Sequence, residues 1–150
     1  MSEPLLIHAT AVAIDGHAVL LRGPSGCGKS DLGLRLIDAG GRLVADDQSE
    51  LWRRGDALFV RAPATIAGLL EIRGIGIMRL DALPEAPVAL IADLVAAEKI
   101  ERLPTSSREA ILGVALPLVA VAPFEASAVA KIRLALHAFT GSGLPAMIGQ

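Results

Sequence analysis

The chain has 150 residues, 53% of them hydrophobic and 20% charged, with a formal charge of -2 at pH 7. These values exclude a disordered chain and give no basic footprint for nucleic acid or an anionic membrane surface. The lone Cys27 excludes an internal disulfide, and apolar runs such as 88–97, broken by Asp93, are too short to span a bilayer.

The length favours a single domain over residues 1–150. Met1-Ser2-Glu3-Pro4 lacks the regions of a signal peptide, which with the single cysteine points to a cytoplasmic protein. Trp52, Phe59, Phe124 and Phe139 are the only aromatic residues. The core must therefore be Leu, Ile, Val and Ala, a composition for strands covered by helices and not for a base-stacking platform.

Residues 5–14 read as a strand turning at Asp15-Gly16, a strong hairpin signal, into a returning strand over 17–22. That strand runs into Gly23-Pro24-Ser25-Gly26-Cys27-Gly28-Lys29-Ser30, a complete phosphate-binding loop of the form G-x-x-x-x-G-K-S/T. Leu32, Leu34, Leu36 and Ile37 then mark a helix from 29 to about 39, closed by Gly40-Gly41. Strand, glycine loop and helix is the context the motif requires. Its glycines turn backbone N–H groups around phosphate oxygens, with the helix N-terminus behind them. Lys29 would reach the β- and γ-phosphates and the Ser30 hydroxyl would ligate Mg²⁺. Cys27 fills a variable position, read as a tolerated small side chain.

Leu43-Val44-Ala45 is a short buried strand ending in Asp46-Asp47. Ligands of open α/β sheets lie beyond the carboxyl ends of strands, and successive strand residues face opposite ways. One carboxylate can therefore hold Mg²⁺ while the other accepts a proton from the nucleophile, and the residues alone do not say which. Residues 48–53 and 57–61 form a second hairpin, and 64–70 a short helix. The glycine-punctuated segment 71–80 follows. Glu71 could complete a metal shell and Arg73 neutralise transferring charge, or the two form a surface pair. Residues 88–94 are a central strand and 98–109 a polar loop carrying Arg102 and Arg108. Residues 111–116 and 118–121 are strands separated by Pro117, and 126–139 a helix with Val129, Ile132, Leu136 and Phe139 in phase. Residues 141–150 are expected to fray. His8, between Ile7 and Ala9, is placed inside the first strand; His17 and His137 are surface residues.

Taken in order, these motifs resemble the catalytic domain of bacterial HPr kinase/phosphorylase. The likeness is carried by Ile7-His8, the phosphate loop, Arg42-Leu43-Val44-Ala45-Asp46-Asp47, Leu70-Glu71-Ile72-Arg73-Gly74-Ile75-Gly76-Ile77 and Glu101-Arg102-Leu103, spanning residues 8–103. The resemblance implies an α/β fold with a mixed sheet and a nucleotide site like that of phosphoenolpyruvate carboxykinase. It implies an ATP- and Mg²⁺-dependent kinase acting on a serine of an HPr-like phosphocarrier of a phosphotransferase system. By the same resemblance residues 23–30 bind the phosphates, Ser30 and Glu71 hold Mg²⁺, and His8, Lys29 and Arg102 are catalytic. Asp47, with Asp46 close behind it, deprotonates the acceptor serine. The chain is similar to the short alphaproteobacterial form, which lacks the family's N-terminal domain. The family tends to hexamers, an assembly the short form does not by itself require. Where the family carries a motif for dephosphorylation, this chain has Ala122-Pro123-Phe124-Glu125-Ala126-Ser127-Ala128-Val129-Ala130-Lys131, which puts phosphorolysis in doubt. The competing readings are a small-molecule kinase of the phosphate-loop type and a non-catalytic ATP-sensing module.

Overall fold

The computed structural model describes residues 3–141 and 143–148. Its strands are β1 Leu5–Ile7, β2 Ala9–Ile14, β3 His17–Arg22, β4 Arg42–Ala45, β5 Ser49–Arg54, β6 Ala57–Arg61, β7 Leu69–Ile72, β8 Gly76–Arg79, β9 Ala86–Leu94, β10 Ser107–Ile111 and β11 Val114–Val121. The helices are α1 Lys29–Asp38 and α2 Ala128–Thr140. Nine strands form a mixed sheet, ordered β1-β5-β6-β9-β3-β2-β4 with β11 on β9 and β10 on β11; β7 and β8 make a separate hairpin. The expected α/β fold with a mixed sheet is what forms. No helix among the described residues is long and apolar enough to cross a membrane.

The sheet curls, and its two faces bury two different cores. Ala11, Ala13, Ala18, Leu20 and Ile91 pack against Leu51, Leu58 and Val60 of the β5–β6 arm. On the other face Val12, Val19, Leu21, Leu90 and Ala92 pack against Leu32 and Leu36 of α1 and Ile132 and Leu136 of α2. Alternate residues of β2 and β3 thus serve opposite cores, as the two-residue strand period demands. In β9 the register against β3 slips, Ala18 facing Val88 but Val19 facing Leu90. The extra residue exchanges the faces, so Val88 joins the first core and Leu90 the second. Each leucine fully buried this way contributes on the order of 2 kcal/mol.

Helix α1 ends as its glycines indicate. The Gly41 N–H bonds the Leu36 carbonyl and the Gly40 N–H that of Ile37, with Gly40 at φ 108. This is the paired Schellman arrangement, which places the capping residue in the left-handed region. In α2, Ala128, Ile132 and Leu136 are buried at four-residue spacing.

The structure departs from the sequence reading in four places. Residues 5–14 are two strands: β1 pairs β5 while β2 pairs β3 and β4, and the chain bends at an exposed His8. His8 is therefore outside the sheet, at the point where the chain passes from one arm to the other. The helix expected over 64–70 is a single 3-10 turn at Ala64–Ile66, because Gly68 at φ 77 redirects the chain and its carbonyl accepts the Leu80 N–H. Residues 107–111 are strand β10, not loop, and β11 passes through Pro117 without interruption. Leu112 at φ 50 and Gly113 at φ 81 close that hairpin. Its two-residue turn makes Ile111 and Val114 a hydrogen-bonded pair, so Pro117 opposite Arg108 falls at a non-bonded position of the ladder. Pro117 loses no bond to β10, and β9 joins only from Leu118 onward. The fraying expected over 141–150 falls partly on Ser142, Gly149 and Gln150, outside the described residues.

The end of β3 is tied to its neighbours immediately before the phosphate loop. Arg22 donates through Nε and Nη2 to Asp93 at 2.8 and 3.1 Å, and through Nη1 and Nη2 to Glu109 at 2.6 and 2.8 Å. The guanidinium holds the Glu109 carboxyl below its ordinary range, and the two carboxylates push Arg22 up. A depressed carboxyl stabilises the fold above its unfolded value and ceases to as pH falls through the folded value. The Tm difference between the native chain and Glu109→Gln is thus expected to be full at neutral pH and to shrink below about pH 4.5. Both acids are over a third exposed, which limits the effect to about 1 kcal/mol. A Tm difference that does not change with pH would dismiss the pair's contribution.

Candidate phosphoryl-transfer site

The phosphate loop leaves β3 at Gly23 and enters α1 at Lys29. Gly26 at φ 80 and Gly28 at φ 106 hold backbone that L side chains rarely adopt. A Cβ on Gly28 would also stand 2.9 Å from Phe124 Cζ. Gly28 caps α1 with no side-chain bond, so no capping side chain competes for the first-turn N–H groups, which have no intrahelical partner. Lys29 is buried, its Nζ donating to the Gly23 and Pro24 carbonyls at 2.7 and 3.1 Å and lying 3.9 Å from Asp47 Oδ1. The ammonium stays inside the loop, on acceptors that anionic oxygens can replace. Cys27 Sγ occupies the space beside Gly23, where a Cβ would meet it at 2.5 Å, so the two residues fit as a pair.

Strand β4 delivers the acidic pair to the same place. Asp46 Oδ1 accepts from Ser30 Oγ at 2.6 Å and Thr10 Oγ1 at 3.2 Å, and Oδ2 accepts from the Glu71 N–H at 3.2 Å. Asp46 is buried and fully engaged. Asp47 is its opposite: the side chain is 54% exposed. Its backbone sits at φ 64, its N–H donates to Thr10 Oγ1 at 3.1 Å, and Gln48 N–H closes the turn onto the Asp46 carbonyl at 2.7 Å. Left-handed backbone at a non-glycine residue costs on the order of 1 kcal/mol, and Asp tolerates it better than most. That turn aims two adjacent carboxylates differently, one into Ser30 and one toward Lys29.

The structure thus brings together residues 23–30, Asp46 and Asp47. Glu71 joins through its backbone N–H, while its side chain, near the turn of the β7–β8 hairpin, is exposed. His8 lies two residues from Thr10 on the exposed bend. Arg102 is on an exposed bend after the Ala97–Lys99 turn and makes no hydrogen bond or ion pair among the described residues. No group of three or more His, Cys, Asp or Glu suited to a metal occurs among the described residues. The oxygen donors that do meet, Ser30 Oγ and Asp46 Oδ1, are the hard type Mg²⁺ takes, and that ion keeps its other positions for phosphate and water. Sequence reasoning missed Thr10, fully buried and bonded to both aspartates. Its one signal is a hydroxyl in the otherwise apolar run Ala9-Thr10-Ala11-Val12-Ala13-Ile14.

Comparison with known proteins finds relatives in sequence and in fold. The HPr kinase/phosphorylase of Exiguobacterium sp. (strain ATCC BAA-1283 / AT1b) is 52% identical over 73 residues, 48% of this chain and 24% of that protein. That of Limosilactobacillus reuteri (strain DSM 20016) is 40% identical over 96 residues, 59% of this chain and 30% of that protein. These matches span about a quarter to a third of the curated relatives' length. The solved Hpr(Ser) kinase/phosphatase from Coxiella burnetii superposes with a TM-score of 0.76 at 30% identity, covering 85% of this chain and 91% of that one. A family model described as the HPr Serine kinase C-terminal domain matches residues 1–135, so a loop that ends in Ser30 against Asp46, with Asp47 beside Lys29, is found here in a chain that belongs to that family.

Proposed function

We propose that this chain transfers the γ-phosphoryl group of ATP to a serine of an HPr-like phosphocarrier protein. The observation that carries the reading is the split between two adjacent carboxylates: Asp46 locked on Ser30 at 2.6 Å, Asp47 exposed and 3.9 Å from Lys29. Residues 23–30 wrap the donor phosphates with backbone N–H groups, and Lys29 exchanges its carbonyl partners for phosphate oxygens. Ser30 and Asp46 are the residues that would hold Mg²⁺, with the exposed Glu71 at the rim. Held there, the ion would supply positive charge against the charge that builds on the transferring phosphates. Asp47 accepts the acceptor serine's hydroxyl proton, the serine oxygen bonds to the γ-phosphorus, and the bond to the β-phosphate oxygen breaks to leave ADP. His8 and Arg102 enter this reading by resemblance alone, as does a homo-oligomer, while a cytoplasmic location rests on the N-terminal sequence and the single cysteine. Residues 122–131 carry no recognisable motif for phosphorolysis, which supports the forward reaction as this chain's activity.

Incubating the chain with ATP, Mg²⁺ and the HPr-like protein of the same organism is expected to give one phosphoserine, mapped by mass spectrometry. No transfer to that protein under conditions where ATP binds would overturn the reading.

A further inference from the structure

The β7–β8 hairpin stands outside the nine-stranded sheet, and a two-stranded hairpin alone is marginal in water. It is fastened by the fully buried Leu70, by the Leu80 N–H on the Gly68 carbonyl and by the Glu71 N–H on Asp46 Oδ2. Its place beside the two aspartates is therefore set by the site itself. The ladder pairs Glu71 with Ile77 and Leu69 with Arg79, so these four side chains share one face. Ile77 is 70% exposed there. Ile75, in the turn between Gly74 at φ 89 and Gly76 at φ 128, is 73% exposed.

The hairpin's own stability explains neither isoleucine. A solvated strand takes threonine as readily, and turns favour Gly, Asn, Asp or Ser over a β-branched apolar residue. Arg73 and Arg79 flank the pair, exposed and without a hydrogen bond or ion pair among the described residues. Apolar side chains grouped in solvent and bordered by arginine have the make-up of a protein-binding surface. Phosphate groups have no use for isoleucine, whereas a serine carried on a folded protein brings apolar surface with it. Residues 69–79 hold Glu71 as their one carboxylate against the two guanidinium groups. The surface therefore complements a partner with carboxylates around an apolar centre.

We propose that Ile75, Ile77 and Arg79 form the surface on which the acceptor protein docks, through an apolar patch of that protein edged by carboxylates. The inference rests on the protein-acceptor reading of the site. A protein whose serine reaches Asp47 must lie over the residues around it, and the hairpin is bonded to Asp46, the adjacent residue. The test is steady-state transfer from ATP to the HPr-like protein by the native chain, by the double variant Ile75→Ser/Ile77→Thr and by Arg79→Glu. ATP affinity is followed by calorimetry and molecular mass by sedimentation. Each variant should raise the carrier concentration for half-maximal rate by about tenfold or more, with kcat and ATP affinity within about threefold of native and mass unchanged. The rise for Arg79→Glu should shrink as salt is raised. An unchanged carrier requirement would overturn the proposal, and a shift in mass beside it would assign the hairpin to contact between copies of this chain. Loss of kcat and ATP affinity with no change in carrier requirement would overturn it too, leaving the hairpin a brace of the site. A native chain that bound ATP and phosphorylated no carrier would overturn the phosphocarrier reading itself.

Discussion

Asp47→Asn is expected to cut the rate of transfer to the phosphocarrier by about 10²–10⁴-fold, the range a positioned general base supplies. The amide cannot accept the serine proton, yet nearly everything else about the position survives. Asparagine adopts left-handed backbone readily, so φ 64 is kept. The bond from the residue-47 N–H to Thr10 Oγ1 and the turn closed by Gln48 use backbone groups only. Stability should therefore move by less than about 0.5 kcal/mol. Lys29 retains the Gly23 and Pro24 carbonyls, so ATP affinity should change by less than about threefold. The signature is a fall in kcat with folding and nucleotide binding intact, measured by steady-state transfer, thermal melting and calorimetry. If Asp47→Asn kept a third or more of the native rate, the proton would have to leave by another route and the division of labour between the aspartates would fail.

The phosphate loop was legible because its chemistry is local. Glycine conformation, the lysine and the serine are fixed within eight consecutive residues, and the flanking strand and helix announce themselves by period. Asp46-Asp47 was legible as the end of a buried strand, though not the difference between its members. That difference depends on Thr10, 36 residues from Asp46 in the chain, which no local pattern couples to it. His8 was placed in the sheet because Ile7 and Ala9 extend the apolar run. The run in fact belongs to two arms of a curled sheet, and pairing partners decide where it breaks. Proline misled in the opposite direction. Pro117 marks a chain break only if its nitrogen owes a hydrogen bond, and the register of β10 on β11 removes that debt. The turn that sets the register places a leucine, Leu112, at φ 50, where composition signals no turn.

Asp46 carries the second large effect, because it serves structure and chemistry at once. Removing its carboxylate in Asp46→Ala leaves the Ser30 and Thr10 hydroxyls and the Glu71 N–H short of an acceptor in a buried setting. A loss of about 3 kcal/mol is expected, roughly 10 °C in Tm for a domain of this size. Activity should fall by about 10³-fold or more, since the charge that would hold Mg²⁺ at Ser30 is gone. Two milder variants separate the causes. Thr10→Val keeps the Asp46 charge but removes one donor to it and the acceptor of the Asp47 N–H, costing about 1–2 kcal/mol. It should loosen the turn and lower kcat while leaving the Mg²⁺ concentration for half-maximal rate unchanged. Asp46→Asn keeps an oxygen for the Ser30 and Thr10 hydroxyls, loses the acceptor of the Glu71 N–H and removes the charge, so it should raise that Mg²⁺ concentration by about tenfold or more with a smaller change in Tm than Asp46→Ala. An unchanged Mg²⁺ requirement in Asp46→Asn would reduce Asp46 to an acceptor that orders Thr10, Ser30 and the β7–β8 hairpin, and would move the cation to the exposed Glu71. The two titrations therefore decide between a buried and a rim carboxylate as the metal's protein ligand.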